Sequence, residues 1–73
     1  MSFEMIHIFK TDVQHQHDTN KITDALFKIY PQYRINFDLD DCDNILRIEG
    51  EEISTNVIIN CLAVLGYECT ELY

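Results

Sequence analysis

A four-stranded antiparallel sheet with two helices on one face, in the chain order β-α-β-β-α-β, is the fold this sequence predicts. Three observations carry that prediction. Apolar residues recur at helical spacing in two places, at Ile22, Ala25, Leu26 and Ile29 and again at Val57, Ile58, Cys61, Leu62 and Leu65. Stretches rich in β-branched and aromatic residues, several with period two, flank both. Only two glycines and one proline interrupt the chain, so its loops must be short. Two split βαβ halves with right-handed crossovers then give strand order 4-1-3-2, the ferredoxin-like α+β plan. Residues 1–73 make one domain, near the lower size limit for a self-sufficient core.

Each element has a local reason. Phe3 to Phe9 reads as a strand with apolar side chains on both faces, Ile6 and Ile8 on one, and Phe3, Met5, His7 and Phe9 on the other. The polar run from Lys10 to His17 reads as a loop, and Asp18 or Thr19 as the cap of the first helix. Phe27 and Tyr30 lie at the margins of that helix, which Pro31 ends. Tyr33, Ile35, Phe37 and Leu39 alternate with Arg34, Asn36 and Asp38, the pattern of a half-buried strand. The segment from Asp40 to Asn44 is a turn, and Ile45 to Glu49 is the next strand, with Leu46 and Ile48 inward and Gly50 as its break. Ser54 or Thr55 caps the second helix, Gly66 stops it, and Tyr67 to Leu72 forms the last strand. This topology sends the first loop, the acidic turn around Cys42 and the Gly66-Tyr67 corner to one pole of the sheet. Lys10, read as inward-facing, is expected to reach that pole with its ammonium.

Thirteen acids against five bases give a formal charge of -8. That balance repels a phosphate backbone and an anionic membrane surface. It leaves basic proteins, cationic peptides and metal ions as complementary partners. The start of the chain has no basic leader pattern, and no apolar run approaches the ~20 residues of a membrane span. Three cysteines without paired spacing, Cys42, Cys61 and Cys69, fit free thiols in a reducing cytoplasm.

The helix core and second half of the chain resemble the heavy-metal-associated family of small copper chaperones and metal-pump modules. Ile22, Ala25 and Leu26 match its first-helix core, Phe37 to Leu39 and Ile45 to Glu49 its second and third strands, and Ser54 through Gly66, Tyr67 and Glu68 its second helix and Gly-Tyr ending. The resemblance covers essentially the whole chain and implies the same fold. The family's Gly-Met-x-Cys-x-x-Cys loop is absent. Asp12 stands at its glycine, Val13 at its methionine, His15 at its first cysteine and Asp18 at its second. Soft Cu(I) prefers paired thiolates, whereas imidazole and carboxylate favour Zn²⁺, Ni²⁺ or Cu²⁺.

Two surfaces are therefore candidates. His15, His17 and Asp18, with Cys42 from the neighbouring turn, would supply a divalent-metal site if they converged, since such a site needs three or four ligands. Phe3, Met5, His7 and Phe9, projecting from the side of the sheet no helix covers, beside Ile45 and Arg47, would form an apolar interface. The acidic turn is not a calcium loop: Cys42 and Asp43 occupy the places of a ligand and of the obligatory glycine. Cys42 among aspartates makes a poor nucleophile, and Cys61 and Cys69 read as small core residues. Tyr67 reads as a corner residue packing under the first loop.

No nucleophile with an adjacent base, glycine-rich phosphate loop or carboxylate pair is present, which argues against an enzyme. The arginine-bearing loop of acylphosphatases and the basic aromatic strands of RNA-recognition domains are likewise missing. The expected function is a non-catalytic binding module without a cofactor, taking a protein partner or a second copy of itself. A carrier or sensor of Zn²⁺, Ni²⁺ or Cu²⁺ is the alternative.

Overall fold

The computed structural model describes residues 5–40 and 42–72. Six elements follow in order: β1 (Met5–Thr11), α1 (Gln16–Ile29), β2 (Arg34–Asp38), β3 (Ile45–Gly50), α2 (Thr55–Leu65) and β4 (Cys69–Glu71). All strand pairs are antiparallel and the sheet order is β2-β3-β1-β4, the ferredoxin-like arrangement. No described helix is long and apolar enough to cross a membrane.

The core follows from pairing register. Ile48 lies opposite both His7 and Ile35, and Leu46 opposite both Phe9 and Phe37. These positions share one face, because directly paired residues point the same way. Phe9, Leu46 and Ile48 are fully buried there with Val13, Ile22, Leu26, Ile58 and Leu62.

This register reverses the expected facing of β1. Met5, His7 and Phe9 are on the helix-covered side, and Phe9 has no exposed surface, so it is no part of an open interface. Ile6, Ile8 and Lys10 occupy the open side instead, beside Glu49, Arg47 and Ile45. Lys10 accordingly points outward, where its ammonium lies 3.6 Å from the Asp43 carboxylate. Phe3 lies outside the described residues. Apolar side chains at both parities of β1 made the two facings indistinguishable by pattern, and packing against β3 chose between them.

The first helix also begins earlier than the cap residues implied. His15 is its N-cap in extended conformation, and its carbonyl accepts N–H bonds from Asp18 (3.0 Å) and Thr19 (3.2 Å). Its buried stripe is Thr19, Ile22 and Leu26, while Ile29 is half exposed. Thr19 can enter the core because its hydroxyl donates to the Gln16 carbonyl at 2.7 Å. At the other end, Tyr30 and Tyr33 stack across the Pro31 corner at 4.4 Å. Tyr33 then lies flat on Gly50, where an added Cβ would stand 2.4 Å from its ring. Gly50 is the last residue of β3, which ends there as read, and it also makes room for an aromatic ring. Gly66 stops α2 as anticipated, at φ 97°, and its N–H bonds the Ala63 and Leu62 carbonyls.

Candidate functional site

The pole of the sheet forms by direct hydrogen bonding between its three segments. The Thr11 hydroxyl donates to the Asn44 carbonyl at 2.7 Å and accepts the Val13 N–H at 3.2 Å. The Asp12 carboxylate accepts the Glu68 N–H at 2.9 Å. The first loop is thus tied to both the acidic turn and the corner after α2, with Val13 fully buried. That leaves a short fixed connection where a long polar loop was expected.

The four candidate metal ligands do not meet there. His15 and His17 are exposed, and both sit at the start of a helix rather than on a loop. His15 is the extended N-cap and His17 lies in the first turn. Asp18 accepts a hydrogen bond from the Tyr67 hydroxyl at 2.6 Å. Cys42 is exposed on the turn. Among the described residues, no three His, Cys, Asp or Glu side chains cluster closely enough to hold a metal ion. The donors also do not fit Cu(I), since no thiol stands at either ligand position of the resembled family.

What the pole does contain is a packed corner. The Lys21 ammonium lies 5.8 Å from the centre of the Tyr67 ring, within cation–π range. The bond to Asp18 pushes the Tyr67 phenol above its usual range, helped by partial burial and by the charges of Asp18 and Asp12. Two thiols are held protonated: burial raises Cys61, and burial with Glu71 beside it pushes Cys69 up to about 12. His7, one of the expected interface residues, instead pairs through Nδ1 with the Glu71 carboxylate under the N-terminus of α2. Its Nε2 is buried without a hydrogen-bond partner among the described residues. Glu71 also accepts from the Thr55 hydroxyl at 3.2 Å.

A concavity lies elsewhere, between the outer sides of the two helices. It is an open groove of about 570 Å³ lined by Ala25, Lys28 and Ile29 of α1 and by Val57, Cys61 and Val64 of α2, among others. Its lining includes no acid, and Lys28 is its one charge. Val64 on its edge is 86% exposed. Sequence reasoning passed over this surface, although the signal was present. From Ile53 to Tyr67 the chain has no charged residue, within a protein of formal charge -8.

No family model, curated protein or solved structure matches this chain.

Proposed function

We propose that this chain is a non-catalytic binding module that docks a basic amphipathic helix of a protein partner in the groove between α1 and α2. It resembles a heavy-metal-associated domain in plan, with a peptide rather than a metal ion as its ligand. One observation carries this reading: the apolar groove between the two helices is lined by no acid although the chain is strongly acidic.

The lining residues fall at spacings of three and four on each helix, so they form two parallel ridges with a trough between them. A third helix fills such a trough with its own apolar stripe, the helix-in-groove mode of recognition. The volume is within the ~300–1,000 Å³ of binding clefts, but the trough is open along its length, which suits a helix better than an enclosed small molecule. The polar side of that helix would face an acidic protein, and basic residues there gain from steering and complementarity. The raised thiols of Cys61 and Cys69 support the non-catalytic part, because a nucleophilic cysteine needs its thiolate.

A designed peptide with a leucine stripe and a lysine polar face is the probe, titrated into methyl-labelled protein and followed by NMR. Shifts should concentrate on Ala25, Ile29, Val57, Val64 and Leu65. A glutamate-faced peptide should bind at least about tenfold more weakly at low salt, equivalent to ~1.4 kcal/mol. No groove shifts with about 1 mM lysine-faced peptide would overturn the reading.

A further inference from the structure

The open face of the sheet is composed unlike the rest of the surface. Pairing register places three rows on it: Arg34, Glu49 and Ile6; Asn36, Arg47 and Ile8; and Asp38, Ile45, Lys10 and Thr70. Leu72, whose N–H donates to the Ile8 carbonyl at 2.8 Å, extends the middle row. Lys10, Arg34 and Arg47 are three of the chain's five bases, and among the described residues the strand rows set Asp38 and Glu49 against them. These bases are locally compensated. Arg47 lies 2.8 Å and Arg34 3.9 Å from Glu49, and Lys10 lies 3.6 Å from Asp43. Beside them, Ile6 is 54% and Leu72 41% exposed.

We propose that this face is the contact surface between two copies of the chain, packed sheet against sheet about a two-fold axis. Two molecules of charge -8 repel at long range, so they meet most readily where the contact surface itself carries no net negative charge. Among the described residues the open sheet face satisfies that condition, since Lys10, Arg34 and Arg47 balance Asp38, Glu49 and Asp43. Ile6, Ile8 and Leu72 form an aliphatic strip beside Arg47 and Arg34, and apolar residues mixed with arginine are a composition that interfaces favour. An isologous contact sets each patch on itself, so no second surface is required. Four strands about 4.8 Å apart, each a few residues long, give roughly 400 Å² per copy. A typical stable interface buries ~800 Å² per partner, which puts this dimer in the weak, concentration-dependent class. The inference is independent of the helix groove, which lies on the opposite layer.

Sedimentation equilibrium from micromolar to about 1 mM protein tests it. A monomer–dimer equilibrium is expected. It should tighten as NaCl rises from about 10 mM to about 1 M, because the Debye length falls from ~30 Å to ~3 Å and screens the repulsion. Ile6→Asp and, separately, Leu72→Lys should weaken it at least about tenfold, while Val64→Asp in the groove should leave it unchanged. Both positions on the face are substantially exposed, and amide spectra of each variant establish that it remains folded. Three results would overturn the proposal: a monomer throughout at high salt, a dimer indifferent to both face variants, or one that weakens with salt. The last would mean that opposite charges, not a compensated apolar face, hold the copies together.

Discussion

Helix α1 carries Asp18, Lys21, Asp24 and Lys28 along its length, whereas α2 has no charged residue at all. Both anchor to the same core, α1 through Ile22 and Leu26 and α2 through Ile58 and Leu62. They differ in what they offer outward. The outer side of α1 mixes charges of both signs with the exposed Phe27 and Ile29. That of α2 presents Val64 almost fully exposed in a chain otherwise crowded with acids. Equal anchoring with unequal outer faces shows that stability alone does not account for the composition of α2. Burial explains Ile58 and Leu62; it does not explain Val64.

That comparison breaks if the anchoring is unequal. Leu26→Ala and Leu62→Ala should each destabilise by about 3 kcal/mol in urea denaturation, the transfer loss of a buried leucine plus its cavity. A cost under about 1 kcal/mol for Leu62→Ala alone would mean that α2 is loosely held, and its uncharged surface would need another explanation. The helix ends should also differ. Gly66→Ala should cost about 1 kcal/mol, since φ is 97° while the space around an added Cβ is open. Tyr30, which ends α1 at φ -132°, carries no such left-handed requirement.

Outer-face substitutions sharpen the contrast at smaller cost. Val64→Asp and Phe27→Asp should both leave monomer stability within about 0.5 kcal/mol, because both positions are mainly exposed. Only Val64→Asp should abolish binding of the lysine-faced peptide, since Phe27 is not among the groove residues. Equal loss in both variants would place the contact around α1 rather than in the groove.

The subtlest effects are ionic. Absorbance titration should show the Tyr67 phenol ionising above its ordinary 10.0, and Asp18→Asn should bring it down. A phenol raised in the folded state stabilises fully below its unfolded value, and that contribution is lost as pH climbs through the folded one. An Asp18→Asn titration superimposable on the parent would show that the Tyr67–Asp18 bond does not persist in solution. Thiol alkylation gives the companion measurement. At about pH 8 iodoacetamide should modify exposed Cys42 well before Cys69, which burial and Glu71 keep protonated up to about 12. Stability attributable to Cys69 should likewise fall as pH rises from 9.0 toward about 12, because the unfolded thiol ionises first.

Much of the fold was legible because some elements carry a single periodicity. The alternation in β2 and the Leu46-Ile48 pair in β3 allow one buried face each, and both are found as read. Gly66 was legible as a helix stop because few residues other than glycine tolerate φ near 97°. The candidate metal residues were legible only as chemical types. Their spacing along the chain carried no information about whether they sit on a loop or on a helix, and the start at Gln16 makes His15 the N-cap and puts His17 and Asp18 in the first turn.

By itself, then, the sequence determined the element order, the core positions Ile22 and Leu26 of α1 and Ile58 and Leu62 of α2, the absence of a paired-thiol ligand set and the acidic charge balance. Each of these depends on local periodicity, composition or conformational preference, which neighbouring residues express without distant partners. Tertiary structure alone decided which side of β1 is buried, that Asp18 meets Tyr67 across 49 positions of chain, and that the uncharged side of α2 joins Ile29 in a groove. Those outcomes depend on register and on the packing of one element against another. A strand apolar on both sides has two nearly equivalent facings, and only the docking of Phe9 opposite Leu46 removes the degeneracy.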